Sequence, residues 1–437
     1  MATNVGKLYE TRPLQSWQKA KELRTNTYKE VQEARQAGRL IAFGGVGSLF
    51  SLVRGIGEFS FLRGENYGAV ISHDVKFSAL CSEAMECRGF ARDMCAYTKN
   101  FLGSMFLDKY AFGGNFPKPN FCIQAHSCDS HAKWFQYVSE YFNVPYFCID
   151  VPAGNWENNP SEYRVKYMVG EMEEAIEWLE KVTHRKYDDE KLIEAVTNEC
   201  TCSSLWAEVC LMNRAVPAPL DQRTILGLLS ITAISRHTPE AVELLKFLRD
   251  EVRQRVDDGM AALPTERFRI LDDRQPLWHF LDIYNHLNKY GAIAIGSFYS
   301  FTLTGSYDEQ EDGTWVALKP PEERGIHIKD RETALRILAS EEIMKRQIEK
   351  VHLPSQTNKA LLMMVKEWSC QGVMMHFNRG CELNSSGAAE NRLALREAGV
   401  PVFVYEGSMA DRRDADISEI TKRMDVYMEQ VGLNIIK

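Results

Sequence analysis

The chain has 437 residues, 45% of them hydrophobic and 26% charged, with a formal net charge of -8 and a pI near 5.8. That length and apolar content allow two or three domains with sizeable cores, while the acidic balance argues against a nucleic-acid binder, whose phosphate partner demands a basic face. There is no run of 18 apolar residues and no apolar h-region near the N-terminus, so neither a membrane span nor a secretory signal is expected, and the protein is expected to stay in the cytoplasm.

Residues 15–37 are polar with helical spacing, and Gly38 punctuates the entry to the short apolar strand RLIAFGGVG. This predicts a helical arm over residues 1–37 leading into an N-terminal α/β lobe over 38–155. The loop after the strand carries Gly45 and Gly47 but Phe50 where a GxGxxG dinucleotide fingerprint needs glycine, which speaks against a nicotinamide or flavin oxidoreductase. Ser48 in that loop reads by default as a helix cap, and Glu65, in RGENYGA, as a general acid or base if it faces a cleft and as a solvated loop residue if it does not. FCIQAH is the next expected strand, residues 130–143 its crossover helix and PYFCIDVP the following strand.

From residue 156 to 262 the spacing is almost wholly helical, with starts signalled at Pro160-Ser161, Tyr187-Asp188 and Thr238-Pro239, so a helical domain is expected there. YGAIAIGSFYSF returns to strand character, and a second α/β lobe is expected over 263–437. The predicted class is therefore α/β, with two Rossmann- or flavodoxin-like parallel sheets joined by a helical domain.

One unit is written twice. PNFCIQAHSCDSHAKWFQYVSEYFNVPYFCIDVP and GVMMHFNRGCELNSSGAAENRLALREAGVPVFVYEG each read strand, loop, helix, strand, with Cys128 and Cys381 at the loop ends. In a parallel α/β unit that position lies at the carboxyl end of the strand, where ligands bind, and the helix dipole there favours thiolate. Two matched thiolates suggest a soft-metal centre held between the lobes. Cys95, in FARDMCAYTKNFLGSMF, is the best third thiol among Cys81, Cys87 and Cys95, because Asp93, Tyr97 and Lys99 place it at a polar helix end.

The remaining cysteines among the eleven have quieter readings. Cys122 and Cys148 sit in apolar runs, Cys200 and Cys202 point to different sides of a helix that also carries Cys210, and Cys370 stands beside Trp368, so all are assigned to packing. No CxxC pair exists, and the odd count without secretory context points to reduced thiols rather than a disulfide framework. His126 and His376, which precede Cys128 and Cys381, are candidates to face cluster sulfur or a substrate carbonyl, and equally to be satisfied strand-end histidines.

The combination of MCAYTK, SCDSHAKWFQYVSEYFNVPYFCIDVP and HFNRGCELNSSGAAENRLALREAGVPVFVYEGSMADRR resembles the large iron-sulfur subunits of ATP-dependent benzoyl-CoA reductases and 2-hydroxyacyl-CoA dehydratases, over most of residues 36–437. The resemblance implies that Cys95, Cys128 and Cys381 ligate one [4Fe-4S] cluster with one iron left free of cysteine, that Glu65 donates or accepts a proton, and that Ser48 contacts the carbonyl of an acyl-CoA substrate. It also implies a smaller homologous iron-sulfur partner subunit and separate ATP-hydrolysing activator subunits fed by ferredoxin or a similar reductant. Consistently, the chain has no GxxxxGK[ST] phosphate loop of its own. Overall length and the middle and C-terminal segments look closer to the benzoyl-CoA reductase branch than to the dehydratases. A subunit that passes electrons without holding substrate is a further reading.

Overall fold

A computed structural model describes residues 7–34, 36–45, 49–152, 160–345 and 353–436. Its frame is a pair of four-stranded, wholly parallel sheets. The first contains β1 (Leu40–Gly44), β2 (Phe59–Arg63), β3 (Phe121–His126) and β4 (Tyr146–Asp150) in the order β2-β1-β3-β4. The second contains β5 (Phe268–Asp272), β6 (Ala292–Ser297), β9 (Gly372–Asn378) and β10 (Val402–Gly407) in the order β10-β9-β5-β6. Taken in chain order within each sheet, both run second, first, third, fourth. The same flavodoxin-like winding therefore occurs twice, and the internal repeat extends beyond the two cysteine units to all four strands of each sheet. A short antiparallel pair, β7 (Tyr307–Glu309) with β8 (Trp315–Ala317), stands apart.

Burial explains the parallel arrangement. β1, β3, β5, β6 and β9 are buried along nearly their whole length, as strands covered by helices on both faces must be. Two strands differ from the sequence expectation. FCIQAH does pair with β1, but residues 59–63 intervene in the chain as β2, and β5 precedes the YGAIAIGSFYSF strand. Each is only five residues long and ends in a charged residue, Arg63 or Asp272, that the fold nonetheless buries.

The helices follow their start signals. Asp188 caps Asp189–Met212 by accepting from the Glu190 and Lys191 amides; Thr238 caps Pro239–Asp257 with Pro239 in the first turn. Ser16–Glu33 lies where the helical arm was expected and packs against Gln222–Ser235, its Trp17 ring closing on Gly227. Along Asp189–Met212, Cys200 joins the core beneath the first sheet while Cys202 and Cys210 join the core of the second, so the opposite-side reading of this pair holds. Helix Arg331–Ile343 also packs into the first sheet's core. None of the eleven cysteines, all among the described residues, is in a disulfide. No helix among the described residues is long and apolar enough to cross a membrane.

Two buried contacts clamp the halves of the chain together. Lys99 Nζ donates to Asp411 Oδ2 at 2.7 Å with both side chains almost inaccessible, and Asn100 Nδ2 donates to the Ala410 carbonyl at 3.3 Å. The backbone at Gly380 lies flat against residues 93–94: a Cβ there would stand 2.6 Å from the Asp93 carbonyl and 2.7 Å from that of Met94.

Candidate active site

The carboxyl ends of both sheets open on one cavity of about 1060 Å³. Cys95, Cys128 and Cys381 all line it. Each occupies the N-cap position of a helix, Ala96–Phe106, Asp129–Phe142 and Glu382–Ser385 respectively, and none spends its sulfur on a side-chain cap bond. β3 and β9 are the third strands of their sheets, so Cys128 and Cys381 hold matching stations beside the two topological switch points. Cys95 arrives from neither strand; the Gly380 contact and the Lys99–Asp411 pair bring its helix up to the Cys381 loop.

Their electrostatics differ. Burial, with the neighbouring Cys381 and Cys128 sulfurs adding to it, pushes the Cys95 thiol up to about 12. Burial also opposes ionisation of Cys128, but His131 Nδ1, 3.1 Å from Sγ, outweighs it and holds that thiol below the ordinary value. His131 is in turn paired through Nε2 with Glu65 Oε1, and the Arg63 guanidinium lies 3.5 Å from Glu65 Oε2. Burial alone would discharge His131, yet Cys128 and Glu65 together raise its pKa well above the usual value. Cys381 Sγ accepts from Asn384 Nδ2 at 3.4 Å.

Glu65, expected either in a cleft or in a solvated loop, is the second residue of helix Gly64–Ser72, lines the cavity and is 8% exposed. Gly45 makes room for it, since a Cβ there would meet Glu65 Oε1 at 2.5 Å and Gln124 Oε1 at 2.8 Å. His126 lies at the cavity rim, with side chain 43% exposed and Asp150 Oδ1 3.5 Å from Nδ1. His376 does not reach the cavity: it is fully buried between the carbonyls of Gln275 and Gly407, and burial drops its pKa to about 4. Ser48 lies outside the described residues.

The sequence reading passes over His131, Arg63, Tyr97, Trp278 and Tyr299, all near this site. His131 had a local signal, because three residues past an N-cap thiol a helical side chain turns back toward it. The aromatic three had none: Trp278 Nε1 donates to Tyr97 Oη across 181 residues of chain.

The donor set suits a polynuclear cluster. Among the described residues no three His, Cys, Asp or Glu side chains close around one point as the ligands of a single ion do. Three soft thiols instead face a shared void from three separate helix starts. Cys95, Cys128 and Cys381 would hold such a cluster, with His131 and Asn384 hydrogen-bonded to its sulfur ligands.

The family described as "HGD-D: 2-hydroxyglutaryl-CoA dehydratase, D-component" matches residues 68–431, a span that takes in all three cysteines and begins just past Glu65. The alpha subunit of (R)-phenyllactyl-CoA dehydratase from Clostridium sporogenes is 24% identical over 364 residues, 82% of each chain. The alpha subunit of (R)-2-hydroxyglutaryl-CoA dehydratase from Acidaminococcus fermentans is 24% identical over 326 residues, 73% of this chain and 61% of the relative. A benzoyl-CoA reductase subunit from Thauera aromatica is 23% identical over 366 residues, 79% of this chain and 78% of the relative. With the family match spanning most of the sequence, the chain belongs to the 2-hydroxyglutaryl-CoA dehydratase D-component family, whose relatives here include both dehydratase and benzoyl-CoA reductase subunits.

Proposed function

We propose that this chain is the cluster-bearing subunit of an oxygen-sensitive enzyme that drives single electrons into a CoA thioester, and that its reaction is reduction of the aromatic ring of an aryl-CoA to a cyclohexadiene-carboxyl-CoA. The observation that carries the proposal is the meeting of three N-cap thiols and a buried carboxylate–imidazole pair on one cavity. When bound to Cys95, Cys128 and Cys381 between two lobes, a [4Fe-4S] cluster supplies electrons one at a time at low potential. The protein's own groups do the rest. The sheet ends and the arm helix line the cavity, with Trp17, Arg24 and Tyr28 contributed by the arm. Glu65 and His131 share a proton within a hydrogen bond beside Cys128, the position from which a proton can follow an electron into substrate. Tyr28, Phe112, Trp278 and Leu229 give the wall an apolar and aromatic character suited to an aryl acyl group.

A second reading is radical dehydration of a 2-hydroxyacyl-CoA, which needs the same thiols and the same carboxylate; it is favoured by the dehydratase names that relatives at 24% identity carry. Because the relatives are each named as one subunit of a larger enzyme, we further propose a smaller homologous partner and a separate ATP-hydrolysing activator fed by ferredoxin or a similar reductant. The test is oxygen-free turnover of the assembled complex, with activator, ATP and reductant, on benzoyl-CoA and on (R)-phenyllactyl-CoA. Ring reduction with net consumption of electrons is expected. Loss of water without net electron consumption overturns ring reduction in favour of the second reading, and inertness toward both sinks both.

A further inference from the structure

The two sheets are wound alike, so positions in one can be matched to positions in the other. Cys128 and Cys381 follow the third strand of each, two residues past His126 and three past Asn378. The second strands, β2 and β6, end at Arg63 and Ser297, and each runs straight into a helix. Two residues past β2 stands Glu65. Two residues past β6 stands Tyr299. Both line the same cavity, and they are 8% and 7% exposed.

Trp278 Nε1 donates to Tyr97 Oη, and Tyr97, Trp278 and Tyr299 line the cavity together. Arg63, Glu65 and Cys381 line the same cavity. The short helix that carries it is anchored by reciprocal bonds between Ser297 and Ser300, which fix the angle at which Tyr299 leaves the strand.

We infer that Tyr299 is the counterpart of Glu65 across the pseudo-symmetric sheets and donates a hydrogen bond to the thioester oxygen of the bound acyl-CoA. That oxygen gains negative charge when the acyl group takes up an electron, and a neutral, largely buried hydroxyl stabilises it without having to give up its proton. No bond to hydrogen is broken in the step. The inference rests on the CoA-thioester reading of the site and names a substrate contact within it.

The experiment is Tyr299→Phe in the oxygen-free complex, read three ways: iron per chain, kcat/KM on whichever of benzoyl-CoA or (R)-phenyllactyl-CoA the unaltered complex turns over, and the infrared carbonyl band of that thioester, 13C-labelled at the carbonyl and bound to the unreduced complex. Unchanged iron, a fall in kcat/KM of about 100-fold carried by kcat, and a carbonyl band moved to higher wavenumber are expected. A change below about threefold, or an unmoved band, overturns the assignment while leaving the thioester reading intact. Loss of iron also overturns it, by showing that the hydroxyl supports the thiols instead. If the unaltered complex turns over neither thioester, the reading beneath the inference fails and the inference goes with it.

Discussion

Gly380→Ala tests how the three thiols are brought together. Gly380 has φ +72°, and a Cβ added there would meet two backbone carbonyls, those of Asp93 and Met94, at 2.6 and 2.7 Å. A left-handed backbone costs a non-glycine residue about 1–2 kcal/mol. Forcing an atom against unyielding backbone costs about 1–3 kcal/mol more, for a total of about 2–5 kcal/mol. Because the carbonyls are main chain, the strain is relieved only by parting the Cys381 loop from the segment that ends at Cys95. Gly170→Ala is the control: Gly170 lies inside helix Glu162–Thr183 with nothing within 4 Å of the added atom, so alanine there should stabilise by about 0.5–1 kcal/mol. Oxygen-free preparations of both variants would be compared for iron per chain and for urea midpoint. Gly380→Ala is expected to lose most of its iron and to unfold at lower urea, and Gly170→Ala to keep its iron. A Gly380→Ala protein with full iron and an unmoved midpoint would refute the idea that this contact sets the distance between Cys95 and Cys381.

Lys99→Met removes one of the two cationic partners of Asp411, leaving Arg413 bonded to both carboxylate oxygens, and should cost about 1.5–3 kcal/mol by chemical denaturation; a loss below about 0.5 kcal/mol would mean that the pair is not a clamp. His131→Leu removes the hydrogen bond to Cys128 Sγ. The reduced cluster, being the more negative form, gains most from that bond, so the cluster potential of the reconstituted protein, followed by EPR during redox titration, should move to more negative values; a shift in the other direction contradicts the role given to His131. His376 is held neutral by burial with its pKa near 4, below the value of about 6.5 it regains on unfolding. Its contribution to stability is thus fully present above pH 6.5 and is lost as pH falls toward 4, at about 1.4 kcal/mol per pH unit. His376→Gln should flatten the acid limb of stability against pH by that slope, and parallel limbs for the two proteins would show that the histidine is not neutral in the folded state.

Much of this architecture is written locally. A strand, a loop and a helix are built from contacts between near neighbours, so Asp188 and Thr238 could be read as caps, the Cys200 and Cys202 pair as pointing to two cores, and Cys128 and Cys381 as N-cap thiols at strand ends. β2 and β5 were harder, because Arg63 and Asp272 look like surface residues until the Ala233 carbonyl is seen to accept from Arg63, Glu65 to neutralise it, and the Tyr284 hydroxyl to donate to Asp272. What local pattern does not carry is which ends meet. Glu65 looks as much like a loop carboxylate as a buried acid until His131 is placed against it, and the pairing of Trp278 with Tyr97 leaves no periodic trace in either segment.

By itself the sequence determined two copies of one strand–loop–helix–strand unit and the helix start on which each thiol sits, since hydrogen-bond geometry and side-chain periodicity act over a few residues. Only the tertiary structure decided that Cys95 joins Cys128 and Cys381, and that Glu65 and Tyr299 share a cavity with them. Those meetings depend on Gly380 lying against residues 93–94 and on Lys99 finding Asp411, contacts between segments some 300 residues apart. They form only when both sheets have buried their faces and can close on each other.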